Sequence, residues 1–170
     1  MPWKFALTGL LILTAIAAVS DARSGRIPNW LTLPFLVASP FAHWLTSDRF
    51  GVLFSVFGAL SCAAVPYLMF RLGGMQGGDV KLLAGVGATA GAVMGLEVQI
   101  AAYLLTTLWA LSSAALQRNL GVFARDSLRY ATHALRRQAP SHGTELRFAP
   151  MVFAATLLVL SIHAAQGTAP

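Results

Sequence analysis

Residues 73–83 read GGMQGGDVKLL: four glycines, an acid and a lysine wedged between two long apolar runs. The chain around them is 56% hydrophobic and 11% charged, less than half the charge of an ordinary soluble domain. A single soluble core cannot hide that much apolar surface in 170 residues. The stretch therefore lies at the mouth of a membrane helix, where placing Asp79 and Lys81 demands a reason.

Runs free of Asp, Glu, Lys and Arg cover 5–20, 27–47, 50–70, 82–96, 98–117 and 148–170. A spanning helix needs about 20 mostly apolar residues. The pattern predicts an all-α integral membrane protein in one polytopic domain over 1–170. Its six spans fall at about 4–20, 29–46, 50–70, 80–96, 98–117 and 148–165. The first and fourth runs are short and reach full length only by taking Asp21, or Asp79 and Lys81, to the membrane edge. A re-entrant or broken fourth span stays open. So does a signal peptide over the first run, although five further spans make a plain first helix the simpler reading.

Lys and Arg concentrate in cytoplasmic loops. With the N-terminus outside, the inner side holds Arg23, Arg26, Arg71, Lys81, Arg118, Arg125, Arg129, Arg136, Arg137 and Arg147, and the outer side only Lys4 and Arg49. Asp21 and Asp79 then share the cytoplasmic face. The connection 118–147 carries Leu120, Phe123, Ala124, Leu128, Ala131 and Leu135 at helical spacing. It is expected to lie in the inner headgroup layer against anionic lipid, or to be a solvated basic loop that enforces orientation. Topology accounts for the net charge of +6, so nucleic acid is not an expected partner.

Gly87, Gly91 and Gly95 recur every fourth residue, spacing that lets helix backbones approach closely within a membrane. Pro34, Pro40 and Pro66 fall inside the second and third spans, where kinks are expected. The lone Cys62 excludes an internal disulfide and reads as a small packing residue. His43, His133, His142 and His163 lack ligand spacing, and neither metal nor cofactor is expected. The oligomeric state stays open.

Of six acids, Asp48, Glu97, Asp126 and Glu145 fall at expected loops or span ends. Asp21 and Asp79 are fused directly to apolar helices. Each has a structural reading: Asp21 paired to Arg23 or Arg26, Asp79 capping its helix, Lys81 snorkelling. Together they suit an aspartyl hydrolase, in which two adjacent carboxylates share one proton. The macrodipoles of their own helices would make Asp79 the base and Asp21 the protonated partner.

DARSGRIPN (21–29) and GGMQGGDVKLLAGVGA (73–88) resemble the two signature regions of the type IV prepilin peptidases, GxGD-type membrane aspartyl peptidases related to the archaeal preflagellin peptidases. The likeness covers about 1–117 and is closest to short, peptidase-only members of tight-adherence (Flp-type) pilus systems. It implies Asp21 and Asp79 as catalytic residues, with Arg26, Pro28, Asn29, Gly77, Gly78 and Lys81 in support. It also implies a six-helix fold, a cytoplasm-facing site in a bacterial inner membrane and no cofactor. The substrate would be a prepilin or pseudopilin with a short basic leader. The long members' N-methyltransferase activity goes with an extra cysteine-bearing domain unlike anything in this chain. The family motif Gly-x-Gly-Asp here reads Gln76-Gly77-Gly78-Asp79, which leaves the geometry at Gln76 open. A non-catalytic membrane component of a pilus or secretion system is the alternative.

Overall fold

The computed structural model describes residues 3–116, 125 and 147–167. Its elements are α1 (Trp3–Ser24), α2 (Asn29–Arg71), α3 (Gly77–Ala90), α4 (Ala92–Leu116) and α5 (Ala149–Ala165). All are helices. The basic segment expected over 118–147, with its lipid contact, lies outside the described residues except for Arg125 and Arg147.

The 43-residue α2 would be about 65 Å long if straight. Its two ends nevertheless meet the start of one short helix. Lys81 Nζ donates to Asn29 Oδ1 at 2.8 Å, and a Cβ at Gly77 would lie 3.5 Å from the Phe70 ring. Midway, Ser39 and Thr89 share a 2.9 Å hydrogen bond while Ser55 donates to the carbonyl of Ala88 at 2.7 Å. The His43 and Phe54 rings stand 5.4 Å apart. The backbone is helical throughout, yet it doubles back between 43 and 54. Two antiparallel arms result, and of the two only the second, as Arg49–Arg71, is long and apolar enough to cross a membrane. All three interior prolines lie in these arms.

Two expected boundaries move. α1 continues to Ser24, so Asp21 is inside the helix and not in the connection after it. Gly25, with φ +63°, takes the left-handed conformation that ends helices, and its N–H returns to the Asp21 carbonyl at 2.9 Å. The spans expected over 80–96 and 98–117 divide instead at Gly91, whose φ is +80°. Charge placed the break at Glu97; backbone stereochemistry places it six residues earlier. Glu97 therefore sits within α4.

The reversal at Gly91 folds α4 back along α3. A Cβ on Gly95 would come within 2.9 Å of the Gly87 Cα, and one on Gly87 would collide with the Gly58 carbonyl. Cys62 Sγ lies 2.7 Å from the Cβ position of both Gly87 and Gly95. The glycine stripe thus lies at contacts within the chain, with Cys62 filling the seam.

Six helical arms follow one another in antiparallel order among the described residues. α3 is the innermost: residues 82–89 are buried without a break. Its Leu82, Leu83 and Val86 share one apolar core with Leu10 and Leu13 of α1, Val98 of α4 and Val152 of α5. With 14 residues it is about 21 Å long, short of a bilayer core of about 30 Å. Three segments are long and apolar enough to cross a membrane: Ala6–Ser24, Arg49–Arg71 and Ala92–Leu116.

Candidate active site

The start of α3 is held on two sides. Its N-cap is Gln76, at φ −84° and ψ 149°. That is extended backbone open to any residue, so glycine is not required where the family motif usually has one. Gly78 is a tight contact: a Cβ there would stand 3.2 Å from the Ile27 Cβ. The close approach seats α3 against the turn between α1 and α2. The Lys81–Asn29 bond ties the same two regions one turn later, so Lys81 has a specific partner.

That turn is itself braced. Ser20 and Ser24 both donate to the Arg26 carbonyl, at 3.0 and 3.3 Å. Pro28 is the N-cap of α2, and its carbonyl accepts from the N–H groups of Leu31 and Thr32. The Arg26 side chain is exposed.

The two acids meet here. Asp21 is 6% exposed and Asp79 9%, although 58 residues separate them in sequence. Asp79 lies in the first turn of α3, outside the three candidate spans. Its carboxyl is pushed up to about 6, first by burial and then by the negative charge of Asp21; a hydrogen bond from the Gln76 backbone opposes the shift. Asp79 is thus the third residue of the helix reaching back to the N-cap, the carboxylate half of a capping box, and not the cap itself.

Asp21 has a different partner from those the sequence suggested. No ion pair joins it to Arg23 or Arg26, both of which are exposed. Instead its Oδ2 accepts the backbone N–H of Ala149 at 3.1 Å. This contact comes from the first turn of α5, 128 residues along the chain. It runs against the order expected from the dipoles of α1 and α3 alone, because Asp21 also sits at the positive end of a third helix.

Sequence reasoning missed three contributors: the Ala149 backbone, Phe148 and the Gln99–Tyr103 pair. Phe148 stacks on Tyr103 with ring centroids 5.7 Å apart. The Tyr103 hydroxyl accepts from Gln99 Nε2 at 3.2 Å. Gln99 is 2% exposed, and its Oε1 has no hydrogen-bond partner. A glutamine and a tyrosine four apart in an apolar run were the available signal. Backbone donors such as the Ala149 N–H leave none. Among the described residues, no three His, Cys, Asp or Glu side chains are grouped to hold a metal ion.

Comparison with known proteins bears on this geometry. The sequence profile of the type IV leader peptidase family matches residues 8–111, a stretch that contains both acids. The preflagellin peptidase of Methanococcus voltae is 32% identical over 90 residues, covering 51% of this chain and 36% of the relative. The chain thus matches about a third of that protein's length. No solved structure matches.

Proposed function

Starting from the premise that the chain belongs to the type IV leader peptidase family, we propose that it is an aspartyl endopeptidase that removes the leader of a type IV prepilin or pseudopilin, with Asp21 and Asp79 as its catalytic pair. The observation that carries this is the buried pair itself, in which the charge of Asp21 helps to raise Asp79. Two acids from separate helices are shielded from water and close enough for one charge to hold a proton on the other. Among the described residues neither acid is neutralised by a cation.

The chemistry follows from one ionised and one protonated carboxyl. The carboxylate takes a proton from water as the water oxygen bonds to the scissile carbonyl carbon. The carboxylic acid gives its proton to the carbonyl oxygen. The resulting gem-diol collapses when the first residue passes its proton to the leaving nitrogen and the C–N bond breaks. The second residue recovers a proton from a diol hydroxyl, which becomes the carbonyl of the product acid. Both residues return to their starting states, with no cofactor consumed.

Orientation comes from the charge asymmetry. Six crossings with the N-terminus outside put both acids, Lys81 and most arginines at the cytoplasmic face, where a basic leader would be cut. Gly78 lets α3 approach the α1–α2 turn and Gly77 leaves room for the Phe70 ring at the end of α2, and Lys81, Asn29, Pro28 and Arg26 hold that turn in place. The narrower assignment is a peptidase-only enzyme of a Flp-type system in a bacterial inner membrane. It rests on the resemblance of 21–29 and 73–88.

The test is cleavage of a co-expressed Flp-type prepilin by wild type, Asp21→Asn and Asp79→Asn, with membrane abundance followed in parallel. The proposal expects wild type to shorten the prepilin, and both variants to accumulate normally and leave it intact. Cleavage by either variant would remove the pair from the chemistry.

A further inference from the structure

The first turn of α5 accounts for its backbone donors in a telling way. A helix leaves its first N–H groups without intrahelical partners, and buried ones must be satisfied somehow. In α5, Pro150 has no N–H to offer. The N–H groups of Met151 and Val152 both turn back to the Phe148 carbonyl, at 3.0 and 3.1 Å. Only Ala149 has a first-turn N–H left to point outward, and it points at Asp21 Oδ2. Ala149 is fully buried and Phe148 7% exposed, so water does not compete for the bond. The positive end of the helix macrodipole is aimed at the same oxygen.

We infer that the start of α5 is the third element of the active site, and that its Ala149 N–H keeps Asp21 as the ionised member of the pair. Asp21 is then the base that takes the proton from water, and Asp79 the acid that donates to the scissile carbonyl. The inference deepens the proposed peptidase reading and rests on it. A hydrogen bond to the charged form of a carboxylate favours that form; Asp21 receives one from a buried, dipole-aligned donor. Ala149 is a positioning residue, acting through its backbone.

Among the described residues, the charged and titratable groups around Asp21 leave this ordering intact. Asp79 faces it from α3, where burial outweighs the hydrogen bond that Asp79 itself accepts from the Gln76 backbone. Arg23 and Arg26, on its own helix and the following turn, are exposed, as is Arg147 ahead of α5. Lys81 is engaged with Asn29, and Tyr103 on α4 is engaged with Gln99. Because the two carboxyls interact, the pair titrates as a unit. The readout must therefore be a shift of the whole profile and a residue-resolved signal together.

The experiment compares full-length wild type, Ala149→Pro and Ala149→Gly in native membranes. Proline is favoured at a first helical position and removes the donor, at the cost of disfavouring the αR backbone of Phe148 before it; glycine keeps the donor and removes the methyl. The proposal expects Ala149→Pro to lower kcat on a prepilin tenfold or more with KM little changed. The acid limb of its pH profile should move up by a unit or more, while Ala149→Gly keeps the wild-type limb. An Ala149→Pro enzyme with normal abundance and an unmoved acid limb would overturn it. Should that variant fail to accumulate, isotope-edited infrared titration of the aspartate carboxyls in wild type, assigned with Asp21→Asn and Asp79→Asn, decides instead. Asp21 ionising at lower pH than Asp79 supports the assignment, and the reverse order sinks it. This titration needs no substrate, so it separates failure of the assignment from failure of the peptidase reading, which wild type that cuts no prepilin would signal.

Discussion

The two ends of the bundle treat their acids in opposite ways. At the end where α1 stops and α3 starts, Asp21 and Asp79 are both buried and neither has a cationic partner among the described residues. At the other end, Glu97 of α4 pairs with His163 of α5 at 2.8 Å, with the glutamate side chain 43% exposed. An exposed, paired carboxylate loses little hydration and gains little from its partner. A buried carboxylate beside another resists ionisation, and the cost persists unless the site uses the proton. One bundle thus carries an α4–α5 clamp at one end and, on α1 and α3 at the other, the pair proposed to do the chemistry.

The sharpest way to break that contrast is to neutralise each acid in turn. Asp21→Asn and Asp79→Asn are each expected to reduce prepilin cleavage by about 10²- to 10⁴-fold, the scale of a lost general acid or base. Glu97→Gln is expected to leave cleavage within about twofold, since it touches no group of the pair. Quantifying shortened prepilin against membrane-inserted enzyme for all three variants checks this.

Stability should respond in the opposite sense. The Asp79 carboxyl is raised from 3.8 to about 6 in the folded chain. A raised carboxylate contributes stability that is full below the unfolded pKa and is lost as pH rises through the folded one. At pH 8 the buried charge therefore works against the fold, by at most about 3 kcal/mol for a shift of this size. Asp79→Asn is expected to melt above wild type at pH 8, with the gain disappearing near pH 4, in a detergent-solubilised thermal shift assay. Cleavage by wild type should fall over the same window, as pH rises through about 6 and Asp79 gives up its proton. A flat profile from pH 5 to 8 would contradict a shared-proton pair.

Gly87 sharpens the contrast from the structural side. Its missing side chain leaves room for the Gly58 backbone and the Cys62 sulfur, far along α3 from the acids. Gly87→Ala is expected to cost about 1–3 kcal/mol of stability through overpacking. Specific activity per folded molecule should change far less. Loss of abundance with preserved cleavage per molecule is the checkable pattern.

How much of this was legible in sequence depended on whether a side chain or the backbone carries the feature. The acids announced themselves because a charge fused to an apolar run is costly and rare, and the second arm of α2 because Asp48 and Arg49 interrupt an apolar stretch. The turn at Gly91 was hidden: glycine in an apolar run reads equally well as a packing residue, and only its φ of +80° distinguishes a reversal. Asp21 lying within α1 was hidden for the same reason, since Gly25 and not the aspartate ends the helix. The Ala149 contact could not be read at all, because a main-chain N–H has no letter of its own.

The smallest expected effect tests the clamp directly. His163 and Glu97 join α4 to α5 far from the Phe148–Tyr103 contact that joins the same helices near the acids. The half-exposed pair contributes about 0–1 kcal/mol at most, and α5 is also held by Val152, Ala155 and Val159 in the core. Glu97→Gln should therefore lower the melting temperature only slightly and leave the acid limb of the cleavage profile in place, because Ala149 stays where α5 begins. If Glu97→Gln shifted that limb as far as Ala149→Pro, the far end of α5 would be setting the position of its near end. The clamp and the chemical pair would then be one coupled device, and the contrast between the two ends would fail.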